Sequence, residues 1–221
     1  MSLKSRIGCI VAVLTVTAVL QAANPEEAHD RLESAAVVLD QFTDSSGRGI
    51  QPEQFAKADC VAVIPGFKKG AAGVGVGFGR GFISCRNGDN WSAPGAVSLE
   101  SASLGVQLGG EKINIVILSM DKELRSKLLS GRFSVGSDAS AAWVDGKSAH
   151  GDTDAKLLFF SQTKGTFAGF DLDGVTLKAD DSTNKALYGK PITNGEVVGG
   201  HTDVPEVAQP LLTKLSQETN P

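Results

Sequence analysis

From residue 24 onward, the apolar positions follow first a helical and then a two-residue rhythm. Asn24 is a helix N-cap, Pro25 suits the first helical position, and Glu27 stands at the capping-box spacing. Ala28, Leu32, Ala35, Leu39 and Phe42 then recur at helical intervals and predict a helix over residues 25–42 with one apolar face. Its opposite face carries Glu26, Asp30, Glu33 and Asp40, with Arg31 the one basic residue. Ser45-Ser46-Gly47-Arg48-Gly49 ends it as a loop, and a short helix is predicted over 52–58.

From Cys60 the pattern shortens to strands. Residues 60–64 are apolar and valine-rich, and Pro65-Gly66 closes them as a turn. Gly73-Val74-Gly75-Val76-Gly77-Phe78-Gly79 alternates with period two, putting valine and phenylalanine on one face and glycine on the other. Further strands are predicted over 82–86, 95–100, 104–108 and 113–118, then a helix over 120–129 stopped by Gly131. Strands resume over 156–161, 166–171 and 175–179, with Asp173-Gly174 as a hairpin turn, and a last helix covers 205–215 despite Pro210. The predicted class is α+β: a curved, mainly antiparallel sheet or barrel-like core flanked by N-terminal, middle and C-terminal helices. No Pro-rich or charged linker divides residues 24–221, so a single domain is expected.

The first 23 residues read differently. Lys4 and Arg6 precede an unbroken run of apolar and small residues over 7–20, followed by Gln21-Ala22-Ala23. That is the layout of a secretory signal peptide, and export to the periplasm or beyond is expected; an N-terminal membrane anchor is the alternative. Removing Lys4 and Arg6 takes the basic count from 21 to 19 against 25 acidic residues, a charge of about −6. Nucleic acid is therefore not an expected partner. With Cys9 discarded, Cys60 and Cys85 remain, an even number for an oxidising compartment. A Cys60–Cys85 disulfide is the favoured reading, and two buried free thiols are the alternative.

Motif spacing argues against catalysis. The glycine ladder is GxGxGxG inside a strand, whereas a dinucleotide fingerprint needs GxGxxG at a strand-to-helix turn. Ser119-Met120-Asp121-Lys122 and Ser161-Gln162-Thr163-Lys164 fit SxxK but lack SDN and KTG partners, and GxSxG is absent. His29, His150 and His201 stand in no zinc spacing. Asp152-Thr153-Asp154 and Asp171-Leu172-Asp173-Gly174 are fragments of calcium loops without the remaining ligands; a weak cation site at Asp152 and Asp154 stays open. No cofactor and no structural metal are expected.

One charge feature interrupts the acidic background. Lys68, Lys69, Arg80 and Arg86 fall in a stretch whose only acid is Asp89. Beside glycine-exposed backbone N–H groups, such a patch suits a phosphate or lipid head group; the alternative is a solvated face that keeps a hydrophobic hairpin soluble.

Several motifs then occur in a recognisable order. They are Ala62-Val63-Ile64-Pro65, Lys69-Gly70, Gly79-Arg80-Gly81, Trp91-Ser92-Ala93-Pro94 and Gly105-Val106-Gln107-Leu108-Gly109-Gly110, then Ser161-Gln162-Thr163-Lys164-Gly165-Thr166-Phe167-Ala168-Gly169 and Asp180-Asp181-Ser182-Thr183-Asn184-Lys185-Ala186-Leu187-Tyr188-Gly189. In this order they resemble the SYLF domain family over about residues 26–200, and the chain looks like an exported bacterial member. The resemblance implies a non-catalytic module that binds phosphoinositide or another anionic phospholipid through an N-terminal amphipathic helix and neighbouring basic surface. Here the helix in that place is acidic. The yeast relative also bundles actin, a partner an exported bacterial protein is not expected to meet. The family usually has Gly-Pro near residue 144, where this chain reads Trp143-Val144-Asp145-Gly146. An envelope scaffold without lipid preference is the second functional reading, and an unrecognised hydrolase the third.

Overall fold

The computed structural model describes residues 24–43, 49–69, 75–103, 112–145, 148–152, 154–164, 166–167, 172 and 174–219. The expected signal peptide at 1–23 and the strand expected over 104–108 lie outside these residues.

Helix α1 (Pro25–Thr43) begins where the Glu26 N–H donates to Asn24 Oδ1 at 3.1 Å. It buries Ala28, Leu32, Ala35, Val38, Leu39 and Phe42, the face that the periodicity predicts. A short helix α2 (Pro52–Lys57) leads into the sheet. The strands in chain order are β1 (Cys60–Lys69), β2 (Gly75–Asn87), β3 (Asn90–Trp91), β4 (Gly95–Ser103), β5 (Lys112–Ser119) and β6 (Arg132–Ser134). They continue as β7 (Ala141–Asp145), β8 (Ser148–Gly151), β9 (Leu157–Thr163), β10 (Thr166–Phe167) and β11 (Thr176–Ala179). Nine of them form one path, β6-β11-β4-β2-β1-β5-β9-β7-β8, with β3 paired to β2 and β10 to β9. Every pairing is antiparallel except β7 with β9, and the sheet curls into a half-barrel.

The central strands are buried on both faces. Ala62, Ile64, Phe67, Ile83, Leu99 and Phe159 join the core inside the curl. Val61, Val63, Phe82, Val116 and Phe160 face outward into a second core beneath α1, α2 and the C-terminal helix α6 (Gln209–Thr219). Between β5 and β6 a 3-10 turn (Lys122–Leu124) runs into α3 (Arg125–Leu129), in place of one predicted helix. Helix α4 (Asp181–Tyr188) starts where Asp180 accepts from the Thr183 N–H and stops at Gly189, φ +71°. It is followed by the one-turn α5 (Asn194–Glu196). Pro210 falls in the first turn of α6, where a missing N–H costs nothing. Among the described residues no helix is long and apolar enough to cross a membrane.

Three local expectations change. The strands predicted over 73–79 and 82–86 are one continuous β2, because Arg80 and Gly81 pair in unbroken register with Ser98 and Val97. Pro65-Gly66 does not end β1; it is absorbed as a bulge within the strand. The strands flanking Asp173-Gly174 are no hairpin among the described residues: β10 pairs with β9, while β11 crosses to lie between β4 and β6.

Cys60 and Cys85 stand opposite each other in the β1–β2 register and are disulfide-bonded, with Cα atoms 3.9 Å apart. Asn184 and Asn194 form a second buried fastening. Asn184 Oδ1 accepts from the Ala96 N–H at 2.7 Å, and Asn194 Nδ2 donates to the Ala96 carbonyl at 3.0 Å. Asn184 thereby satisfies the Ala96 N–H, while the carbonyl accepts from Asn194 and also from the Asp180 N–H at 2.9 Å.

Candidate functional site

The glycine ladder decides which face of β2 is exposed. Gly77 and Gly79 are buried inside the curl because the Phe67 ring and Ile64 lie against them. A Cβ at Gly79 would sit 2.7 Å from Ile64 Cγ2, so the close approach excludes any side chain there. The alternation then forces Val76 and Phe78 outward, where they are 56% and 47% exposed. Gly77 and Gly79 therefore present no free backbone to a ligand, which corrects the expectation of glycine-exposed N–H groups at these two positions; Gly73 lies outside the described residues.

The bulge in β1 sets the neighbouring side chains. Gly66 takes a left-handed φ of +62°, and its N–H donates to Asn114 Oδ1 at 3.0 Å. Beyond the bulge, Lys68 is in register with Lys112 of β5 on one side and Phe78 of β2 on the other. Directly paired residues share a sheet face, so Lys112, Lys68 and Phe78 form one row across three strands. Both lysines are exposed, and neither makes an ion pair among the described residues. The row continues to Glu100, which Lys178 neutralises at 2.5 Å.

Above the bulge, α1 closes an open groove of about 770 Å³, lined by Arg31, Ser34 and Val37 on the helix and by Pro65, Lys68 and Lys112 on the sheet. Glu27, Asp30 and Glu33 also face it, so its charge is mixed. Val37 is 59% exposed. Arg31 is half-buried; burial and the neighbouring Arg80 lower its pKa, with Asp180 and Glu27 opposing. Arg80 itself lies 5.6 Å from the Phe78 ring and pairs with the buried Asp180, Nε to Oδ2 at 3.2 Å. Burial acts to raise the Asp180 pKa, but hydrogen bonds from Ser182 and Thr183 and the Arg80 charge hold it below the usual carboxylate range.

Of the four basic residues expected together, the structure brings Lys68 and Arg80 to the same end and face of the sheet. Lys69 pairs through its backbone with Gly77. Arg86 stands six residues beyond Arg80, about 20 Å along β2, and serves the fold. Its guanidinium donates to the carbonyls of Phe55, Ala56 and Ala58, closing the end of α2, and stacks over Trp91 at 4.8 Å. Lys112, Arg31 and the exposed Phe78 were not singled out by sequence. Lys112 and Arg31 are far from the 68–86 stretch in the chain, and only the β1–β5 pairing and the course of α1 bring them near. Other side chains named in the motifs make contacts within the fold. Trp91 donates to Thr219 Oγ1 at 3.1 Å, and the Tyr188 hydroxyl to the Pro94 carbonyl at 2.7 Å. His150 stacks on Trp143, and Asp152 Oδ1 accepts the Asp154 N–H at 2.9 Å in a local turn. Among the described residues no three His, Cys, Asp or Glu side chains gather as a metal site.

Curled half-barrel, helices on its outer face and an open groove of mixed charge at one end together define an α+β domain. A family profile described as Ysc84, Las17-binding protein actin regulator, matches residues 100–218, more than half of the chain. The chain belongs to this Ysc84/SYLF family. Protein YSC84 of Saccharomyces cerevisiae is 29% identical over 205 residues, 86% of this chain and 44% of the relative. SH3 domain-containing YSC84-like protein 1 of Xenopus laevis is 30% identical over 211 residues, 89% of this chain and 63% of the relative. Its Homo sapiens counterpart is 27% identical over 207 residues, 88% and 60% respectively. The chain thus spans less than two thirds of the length of these curated relatives.

Proposed function

We propose that this protein is a non-catalytic module of the bacterial cell envelope that docks on anionic phospholipid through the Lys112–Lys68–Phe78 row. The carrying observation is that row itself: two lysines without ion pairs among the described residues stand beside a half-exposed phenylalanine, with Val76 next to it. Like charges placed directly opposite on adjacent strands destabilise a sheet, so the juxtaposition favours an anionic partner. Exposed apolar side chains edged by cations suit the boundary between head groups and acyl chains. The family's description concerns Las17 and actin. The leader expected at residues 1–23 and the Cys60–Cys85 disulfide support an exported protein.

Co-sedimentation with vesicles of phosphatidylcholine, with and without phosphatidylglycerol, tests the reading. Binding should require the anionic lipid and weaken as salt rises. Each basic side chain near such a surface contributes about 1 kcal/mol, so Lys68→Glu with Lys112→Glu should weaken binding by at least tens-fold, about 2 kcal/mol, while the protein stays folded. A double variant that binds like the parent rejects the row as the docking site.

A further inference from the structure

At the other end of β1, away from the groove, four cationic side chains from three chain segments line one open pocket of about 570 Å³. Lys57 ends α2, Arg86 lies on β2, Lys122 opens the 3-10 turn, and Arg125 begins α3. One acid lines the same pocket, Asp59, which is 2% exposed. Arg125 holds it with two bonds, Nε to Oδ2 at 2.9 Å and Nη2 to Oδ1 at 2.5 Å. That pair accounts for the charge of Arg125 and fixes the guanidinium plane.

The other three cations have no such compensation in the lining. Arg86 spends Nε and Nη2 on backbone carbonyls, which satisfy donors without cancelling charge. Partial burial lowers the Arg86 pKa, with Asp59 and Asp89 opposing. Lys57 and Lys122 are exposed, and neither makes an ion pair among the described residues. The wall therefore holds four cations against one anion, in a chain whose formal charge is −4. Repulsion among cations at one pocket becomes attraction once an anion sits between them.

We infer that this pocket binds a phosphate group. A phosphate monoester brings up to two negative charges and several acceptor oxygens, enough to engage all four side chains. Asp59 uses two of the five N–H donors of Arg125, leaving three. The two guanidinium groups are held in place by the fold, whereas Lys57 and Lys122 are free to close over the ligand. This site is separate from the proposed membrane-docking row, and either can fail without the other. The phosphate belongs either to a soluble phosphorylated compound or to a lipid head group.

Binding of inorganic phosphate and glycerol 3-phosphate, followed by calorimetric titration and by thermal unfolding, is compared with binding to vesicles containing phosphatidic acid. The variants are Lys57→Gln with Lys122→Gln, and Lys68→Glu with Lys112→Glu. All four residues are exposed, and melting curves verify that each variant is folded. Saturable binding of the soluble phosphates that weakens on the order of tenfold or more in the Lys57/Lys122 variant, and persists in the Lys68/Lys112 variant, establishes a site for soluble phosphate. A similar loss in the Lys57/Lys122 variant seen with vesicles alone establishes the head group as the source. Absence of saturable soluble binding, together with unchanged vesicle binding in the Lys57/Lys122 variant, overturns the inference.

Discussion

Gly77 offers the sharpest test of how the sheet is built. The Phe67 ring is fully buried, and a Cβ at Gly77 would lie 2.5 Å from its Cε1 and 2.5 Å from Ser101 Oγ. The backbone of Gly77 is ordinary strand, so Gly77→Ala carries no conformational penalty. Its cost is steric, about 1–3 kcal/mol for overpacking a filled core. A gain of about 0.4–1 kcal/mol from the stiffer unfolded chain works against it. Phe67→Leu deletes the outer ring atoms that clash and should itself cost about 1–2 kcal/mol. In that background the ring clash is gone and the contact with Ser101 Oγ is left, so Gly77→Ala should cost less than it does in the parent. The unfolded-state gain is identical in both backgrounds and cancels from the double-mutant cycle. What is left is a favourable coupling of about 1–2 kcal/mol. Urea unfolding of the four oxidised proteins, compared at a common slope, measures it. Additivity to within about 0.5 kcal/mol would refute the claim that the ring dictates the glycine.

Two further outcomes are expected. The Cys60–Cys85 bond closes a loop with a sequence separation of 25, so replacing both cysteines with alanine should cost about 3 kcal/mol in urea unfolding. Intact-mass measurement with and without reductant should show the gain of two hydrogens, and two freely alkylated thiols in exported material would disprove the bond. The folded-state pKa of Asp180 lies below its unfolded value, so its contribution is complete above the unfolded pKa of about 3.9 and fades as pH falls through the folded one. The stability gap between the parent and Asp180→Asn should therefore be widest near neutral pH and narrow below about pH 4; a gap constant across that range would contradict a carboxylate held below its usual range by Ser182, Thr183 and Arg80.

Helix α1, the alternation in β2 and the buried valines of β1 were legible because local periodicity reports burial directly. The side of β2 that faces solvent was not. Glycine carries no hydropathy signal of its own, and the fact that it lies under Phe67 depends on a neighbouring strand. Helix α4 had its signals in place, Asp180 as N-cap and Gly189 at the stop, but only Ala186, Leu187 and Tyr188 supply apolar side chains within it. Strand β6 has three residues and β8 four, too few for a period to declare itself. The basic stretch around Lys68 pointed to the strand end where Lys68 and Lys112 meet. Its linear proximity nonetheless grouped Arg86 with Lys68, although an extended strand separates them. The pocket around Asp59 drew on three segments and left no trace in any single one.

The double-sided burial of β1 has a consequence for how the chain finds its alignment. Cys60, Ala62 and Ile64 point to one core, Val61 and Val63 to the other, and all five are apolar. A slip of one residue would exchange these sets without exposing a polar side chain, so hydropathy alone resists slippage weakly here. Two features supply the missing specificity. Gly81 passes beneath the Val63 carbonyl, where even a methyl group would collide, and a slipped strand would force Arg80 or Phe82 into that gap. Cys60 meets Cys85 only in the native alignment, because a shift of one places Ser84 or Arg86 opposite it. In an oxidising compartment, formation of the disulfide would therefore act as a proofreading step: only a correctly threaded β1 can be covalently locked.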